Sequence, residues 1–181
     1  MKYKYISVEP LTPAIGALIS GVDISTEITR EIVEEIESAF HNHLVLFFED
    51  QKLTPSQLVD FAKRFGKIGY YPFVQGMEAQ PEVVEVVKNE DEKINFGGLW
   101  HTDTSYLPKP PASSMLYALE VPTFGGDTLF ANMYLAYESL SEEFKQLISN
   151  LSAVNSAEKP DAAVTRVHRI AEKPRDSEDI I

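Results

Sequence analysis

Short apolar runs separated by turns that contain glycine and proline limit most strongly what this sequence can fold into. Runs of this length bounded by Gly and Pro are typical of β-strands. Helical periodicity occurs mainly early in the chain, so the combination predicts an α+β protein with a β-sandwich or barrel core. The number of strands is low for a closed barrel or a double sheet, which leaves open that the chain supplies only part of one. Strands are predicted around 13–23, 43–48, 83–87, 114–119 and 128–131.

The run 43–48 is the most continuous of these strands, because it contains no charged residue and ends at an acidic pair. Such a run predicts a strand that is buried on both faces. The turn 122–127, which contains two adjacent glycines, is expected to link the strands 114–119 and 128–131.

Capping residues give the clearest helix start. Thr54 and Gln57 match a capping box, and Pro55 occupies the first helical position between them. A second, amphipathic helix is predicted over 29–40, because Ile32, Ile36 and Phe40 recur at four-residue spacing and glutamates cover its other faces. Two further helices are expected: one over 132–140, and one that begins at a Ser141 cap and carries Phe144 and Leu147.

Charge and cysteine content exclude several classes of function. A formal net charge of −12 argues against nucleic acid and anionic membrane surfaces as partners, since both attract basic patches. The absence of cysteine excludes disulfides, thiolate metal sites and cysteine nucleophiles. No apolar run approaches the roughly 18 residues of a membrane span, and the first residues lack a signal-peptide core. A cytoplasmic location is expected, and the oligomeric state, including a homo-oligomer, stays open.

The strongest chemical signal is the segment 97–105, which contains His101, Asp103 and the single tryptophan of the chain. Residues two apart on an extended segment point to the same side. A neutral imidazole and a carboxylate that converge there can hold a divalent metal. One further His would complete the 2-His-1-carboxylate triad of non-haem Fe(II) oxygenases. Taken alone, the same pair is also the pattern of a surface hydrogen-bonding couple, so its context matters.

The His101 motif belongs to a series of motifs in a fixed order. They are Trp100-His101-Thr102-Asp103, Pro110-Pro111-Ala112 and Gly125-Gly126-Asp127-Thr128-Leu129-Phe130-Ala131-Asn132, supported by Ile15-Gly16-Ala17, Gly21-Val22-Asp23, Val45-Leu46-Phe47-Phe48 leading to Gln51, Phe61-Ala62, Phe65-Gly66 and Ala136-Tyr137-Glu138-Ser139-Leu140. Over roughly residues 6–153 the chain resembles the taurine dioxygenase-like family of Fe(II)/2-oxoglutarate-dependent oxygenases. Several ordered motifs at compatible spacing are more specific than any one of them.

The resemblance implies a double-stranded β-helix, or jelly roll, with flanking helices, incomplete in this chain. Residues 1–155 would be the N-terminal portion of that domain, and 156–181 a charged, lid-like or disordered tail. It implies that His101 and Asp103 are catalytic iron ligands and that Thr128 hydrogen-bonds a carboxylate of 2-oxoglutarate. The implied reaction converts 2-oxoglutarate and O2 to succinate and CO2, while a small, anionic organic substrate is hydroxylated.

The family's second His ligand and the Arg that follows it have no counterpart in this sequence. Downstream of Asp103 the sequence contains one histidine, His168. It lies between arginines in the charged tail and does not match the family's segment. Three explanations are open: a fragment of a longer gene product, which we favour, a natural truncation without activity, and a site that another chain completes. The expectation is that this polypeptide alone is a poor catalyst.

Substrate contacts are expected in two segments that precede the iron motif. Tyr70, Tyr71 and Asn95 occupy these positions and are expected to bind substrate, although aromatic packing is the other role open to the tyrosines. Taurine-specific members have a His where this chain has Tyr71. A Tyr can hydrogen-bond an anion but offers no imidazolium, which argues against taurine. Sulfonates, sulfate esters, aryloxy acids and amino-acid derivatives stay open.

Two other classes of function stay open on the residues alone. One is a non-catalytic β-sandwich binding module, or a truncated pseudoenzyme, with a vestigial His-x-Asp pair. The other is a metal hydrolase on a β-sandwich, for which no carboxylate is obviously placed as a general base. A third iron ligand separates the readings. Convergence of His101 and Asp103 with His168 or with a His of another chain would favour the enzyme, whereas divergence of the two side chains would favour the binding module.

Overall fold

The computed structural model describes residues 2–69, 71, 73–89 and 96–156. The chain divides into two compact units. The first comprises Met1–Gly66 and Tyr117–Ser152, and the second comprises Lys67–Leu116 and Ala153–Ile181. All the helices and strands of the described residues lie in the first unit, whereas the segment that carries His101 and Asp103 lies in the second.

The first unit contains a three-stranded mixed sheet in the order β1-β2-β3. Strand β1 (Ser7–Pro10) pairs antiparallel with β2 (Ala17–Ser20), and β2 pairs parallel with β3 (Leu46–Phe48). A parallel pair needs a crossover connection, and helix α1 (Arg30–His43) supplies it. Sheet and helices together agree with the predicted α+β class.

Two helix starts, at Thr54 and Ser141, confirm predictions that rested on capping residues, and the helix predicted over 132–140 proves to be capped as well. Helix α2 (Pro55–Lys63) begins at Thr54, and the Thr54 side chain and Gln57 form both halves of the capping box. Helix α3 (Met133–Glu138) is capped by Asn132, whose side chain accepts two backbone N–H bonds. Helix α4 (Glu142–Ile148) begins at the predicted Ser141 cap. Each cap satisfies amide groups that have no partner within the helix.

The core of the first unit lies between the sheet and the inner faces of α1 and α2. Burial of these apolar side chains is the main stabilising contribution of the unit. Of the predicted α1 stripe only Ile36 is buried, because the inner face of the helix is turned toward Val33 and Ala39. The buried cluster consists of Ile6, Ile19, Ile24, Ile28, Val33, Ile36, Ala39 and Phe61.

Side-chain amides fasten the loops around this core. Gln51, which belongs to one of the sequence motifs, accepts a hydrogen bond from the Ile24 N–H at 2.9 Å and donates to the Val22 carbonyl at 3.3 Å. The Gln57 amide donates to the Ser25 carbonyl at 2.8 Å. These bonds satisfy backbone groups that the sheet leaves unpaired, so the role seen for Gln51 is structural.

The strand predicted at 43–48 is shorter and less buried than expected. Helix α1 continues to His43 and ends at Leu44, whose φ of 66° lies in the left-handed region. Phe47 is exposed and contacts the ring of Phe130 edge to face at 6.5 Å, whereas Leu46 and Phe48 pack on the core. The prediction of a strand buried on both faces was therefore wrong, because within the described residues Phe47 stays exposed while its neighbours Leu46 and Phe48 pack on the core.

Three further strand predictions were wrong for the described residues. The segments 83–87, 114–119 and 128–131 form no ladder there, and several of their apolar side chains are exposed. Strand propensity reflects a fit to a pleated, half-buried surface rather than a preference of the backbone alone. Without a hydrogen-bonded neighbour these segments keep a strand-like composition but are not strands. The α4 stripe is likewise exposed at Phe144 and Leu147.

A carboxylate on α1 holds the beginning of the chain. Glu35 accepts backbone N–H bonds from Lys4 at 2.7 Å, from Tyr5 at 2.9 Å and from Ile6 at 3.2 Å. Desolvation pushes the pKa of Glu35 up, but these backbone donors outweigh it, so the pKa lies below its ordinary value.

We expect Glu35→Gln to lower the melting temperature at pH 7 by about 2–4 °C. A carboxyl whose pKa is lowered by folding stabilises the protein above its unfolded pKa of about 4.3, and this contribution is lost as the pH falls through the folded value. The difference between variant and parent should therefore shrink in acid, as followed by circular dichroism. Glu37→Gln is the matched control, because Glu37 makes no side-chain hydrogen bond within the described part of the chain.

Candidate metal centre

The segment that carries His101 and Asp103 is a loop of the second unit without helix or strand. Gly97 has a φ of 67°, and a Cβ placed there would lie 3.3 Å from Cε1 of His101. Gly97 is thus required both for its left-handed backbone and for the close approach of the imidazole. Thr104 also has a positive φ, of 48°, and its carbonyl accepts the Leu107 N–H at 2.9 Å, which closes the turn after the motif.

The His101 and Asp103 side chains converge. Nε2 of His101 lies 3.0 Å from Oδ1 of Asp103, and Nδ1 lies 2.6 Å from the Leu99 carbonyl oxygen. A carbonyl oxygen only accepts, so Nδ1 carries the hydrogen, and in the neutral ring Nε2 presents a lone pair to the carboxylate. Two lone-pair atoms at this separation require a proton or a cation between them. A backbone carbonyl that fixes the tautomer in this way is common behind metal-binding histidines.

Asp103 has a second partner that the sequence did not reveal. The Ser114 hydroxyl donates to Oδ2 of Asp103 at 2.6 Å. Ser114 stands eleven positions further along the chain, beyond the range of any helical or strand spacing rule. Only the return of the chain after Pro110 and Pro111 brings the two side chains together. The two oxygens of Asp103 thus face different partners.

The pair fits a divalent cation as two members of a donor set. Adjacent ligands of an octahedral ion with bonds of about 2.1 Å are separated by about 3.0 Å, and the two facing atoms are 3.0 Å apart. The side chains are 51% and 58% exposed, so a cation can reach them. Within the described residues no group of three His, Cys, Asp or Glu side chains could hold a metal ion. The described part of the chain therefore contains two donors of the right chemistry and no third.

Thr128 lies in the first unit, on an exposed segment outside the strands. The neighbouring Asn132 fixes the end of that segment, because its amide donates to the Ala14 carbonyl at 2.7 Å. The role of Thr128 in binding 2-oxoglutarate stays a prediction.

Of the predicted substrate residues, Tyr71 lies within the described part of the chain. Its ring contacts Phe73 at 5.9 Å and Phe96 at 6.4 Å, both edge to face, and Phe73 contacts Tyr106 at 5.7 Å. Tyr71 thus takes part in a cluster formed from residues on both sides of the metal motif, and aromatic packing is one of its roles. The predictions for Tyr70, Asn95 and His168, and those for the tail beyond Ser156, lie outside the described residues.

None of the helices in the described residues is both long enough and apolar enough to span a bilayer.

A family model matches most of the chain. The model is described as taurine catabolism dioxygenase TauD, TfdA family, and it matches residues 7–179. The match includes both metal-motif residues and Thr128, and it extends into the predicted tail.

Two curated relatives are similar in sequence to most of this chain. The alkylsulfatase of Acinetobacter baylyi is 36% identical over 154 residues, which are 84% of this chain and 48% of the relative. The alpha-ketoglutarate-dependent sulfate ester dioxygenase of Pseudomonas putida is 32% identical over 171 residues, or 91% of this chain and 56% of the relative. The chain thus spans about half the length of the curated relatives it matches.

A solved crystal structure has a similar fold. The crystal structure of a taurine dioxygenase from Burkholderia xenovorans superimposes with a TM-score of 0.71 at 33% sequence identity. The superposition covers 81% of this chain and 52% of that chain.

Proposed function

The chain belongs to the TauD, TfdA family of taurine catabolism dioxygenases, and from this premise we propose that it serves the oxidation of a small anionic substrate. The family's enzymes use Fe(II) and 2-oxoglutarate. The observation that carries the proposal is the convergence of His101 Nε2 and Asp103 Oδ1 at 3.0 Å. The family match favours this function over a binding module with a vestigial pair.

His101 and Asp103 are proposed to hold the iron. When bound, Fe(II) with 2-oxoglutarate supplies the activation of O2 that oxidises a substrate C–H bond. The Leu99 carbonyl keeps the imidazole hydrogen on Nδ1, so that Nε2 stays available as a ligand. Gly97 leaves the room that this ring orientation needs. A third ligand and the Arg for the far carboxylate of 2-oxoglutarate would come from outside the described residues.

The proposed fold around this site is a jelly roll, of which residues 1–155 are the N-terminal portion and 156–181 a lid-like tail. The similarity to the taurine dioxygenase structure supports it. Thr128, in the segment after the paired glycines, is proposed to hydrogen-bond a carboxylate of 2-oxoglutarate. A cytoplasmic location is part of the proposal and agrees with the absence of cysteine.

The proposed substrate is a sulfate ester or sulfonate, because two relatives are named for sulfate ester chemistry. Tyr71 would contact it together with Tyr70 and Asn95. The Tyr71 hydroxyl can donate a hydrogen bond to an anionic oxygen, and the neighbouring Phe73 and Phe96 rings extend an apolar surface beside it. An alkyl sulfate suits this combination better than taurine, whose amino group gains nothing from apolar rings.

The test of the function is succinate formation by the 181-residue chain with Fe(II), 2-oxoglutarate, O2 and an alkyl sulfate. We expect iron-dependent turnover that is at least about tenfold slower than that of a full-length relative, because only two protein ligands stand among the described residues. Taurine should support less turnover than the alkyl sulfate.

The Asp103→Ala variant gives the background of this assay. Iron-dependent succinate that does not exceed this background would contradict the proposed function. A rate equal to that of the full-length relative would instead contradict the expectation that the site lacks a ligand.

A further inference from the structure

The two oxygens of the Asp103 carboxylate have different partners. Oδ1 faces Nε2 of His101 at 3.0 Å, and Oδ2 accepts the Ser114 hydroxyl at 2.6 Å. The shorter bond is in the range of charge-assisted O–H···O⁻ bonds, which are about twice as strong as neutral ones. The shorter of the two contacts of this carboxylate is therefore the one at Oδ2, away from the imidazole.

We infer that Ser114 is a positioning residue, which makes Asp103 present a single oxygen to the cation. The inference rests on the proposed metal site. A free carboxylate can bind a cation through one oxygen or through both. Because the Ser114 bond engages one lone pair of Oδ2 and restrains the rotation of the carboxylate, it favours binding through Oδ1 beside Nε2 of His101.

One-oxygen binding has a consequence for the reaction. A facial triad is useful because it leaves coordination positions open for O2 and a co-substrate. A two-oxygen Asp103 would occupy one of those positions. Ser114 would thus keep a position open, and would also spare the site the entropy of ordering a freely rotating carboxylate.

A purely structural role for Ser114 makes a different prediction. If the bond merely fastened two stretches of loop, its loss would lower stability and leave the chemistry of the cation unchanged. Ser113 is the natural comparison, because it precedes Ser114 on the same exposed stretch, and within the described residues its hydroxyl makes no hydrogen bond. Neighbouring residues on an extended segment point to opposite sides.

The test uses Co(II) alone as the probe, titrated into the 181-residue chain and followed by visible absorption. The position and intensity of the Co(II) bands depend on coordination number and geometry. We expect Ser114→Ala to weaken Co(II) binding about tenfold and to change the band shape. Ser114→Thr, which keeps the hydroxyl, should restore both to near the parent values. Ser113→Ala should match the parent in both.

Several outcomes would overturn the inference. One is that Ser114→Ala binds Co(II) with the affinity and spectrum of the parent. Another is that Ser114→Thr loses as much as Ser114→Ala, since the hydroxyl would then not be the cause. Circular dichroism establishes whether each variant is folded, and an unfolded Ser114→Ala leaves the decision to the threonine variant and its spectrum.

The His101→Ala variant separates failure of this inference from failure of the proposed function. If the parent and His101→Ala bind Co(II) equally, or neither binds, the metal site itself is wrong and both proposals fall. If His101→Ala loses binding while Ser114→Ala keeps the parent affinity and spectrum, only the role of Ser114 is wrong.

Discussion

Replacing His101 by alanine should weaken the binding of Fe(II) or Co(II) by about 100-fold or more. Loss of a residue that merely orients a ligand typically costs about 10–100-fold in metal affinity, so loss of a ligand itself should exceed that range. Asp103→Asn should have a comparable effect, because the amide keeps the size of the side chain but removes its charge. Isothermal titration under anaerobic conditions measures both constants.

The control for this prediction is His41→Ala. His41 lies in the last turn of α1, in the other unit, and its side chain is exposed. It should bind metal like the parent, which shows that an imidazole as such does not account for the affinity. Equal affinities for the parent, His101→Ala and Asp103→Asn would mean that the metal binds elsewhere on this acidic chain. The proposed function would then lose its site.

The largest expected effect on stability is that of Ile36→Ala. Ile36 is 3% exposed and belongs to the buried cluster of the first unit. Removal of its side chain beyond Cβ should cost about 2–5 kcal/mol, as the sum of lost transfer energy and the cavity left behind. Urea unfolding followed by far-ultraviolet circular dichroism measures the loss.

Leu147→Ala is the counterpart on an exposed helix face. Leu147 is 67% exposed on α4, so its truncation should change stability by no more than about 0.5 kcal/mol. Equal losses for the two variants would show that the α4 stripe is buried in solution. That result would contradict the exposure of α4 and would support burial of its apolar face, as the sequence predicts.

The predictions that succeeded depend on neighbours within a few residues. A cap such as Thr54 or Ser141 satisfies amide groups two or three positions away, so its effect can be read from the local sequence. The convergence of His101 and Asp103 is local in the same sense, because their spacing places both side chains on one side. The motif series added the family, which no single spacing would have identified.

The predictions that failed depend on residues far along the chain. Val86 and Val87 have the composition of a strand but lie exposed without a ladder in the described part of the second unit. The burial of Phe47 was wrong for the same reason, since it depends on what covers the other face of the sheet. Composition states what a segment could pair with or pack on, but it does not state whether the partner is there.

The amino-acid sequence by itself determined the family, the capped helix starts and the convergence of the His101 and Asp103 side chains, because each depends on residue identity and short spacing. Only the tertiary structure decided which strands pair. It also decided that Glu35 accepts hydrogen bonds from the backbone of Lys4, Tyr5 and Ile6, and that the Ser114 hydroxyl donates to Oδ2 of Asp103. Hydrogen bonds over such separations exist only after the chain has returned on itself, and the energy that brings it back comes from burial of the whole core.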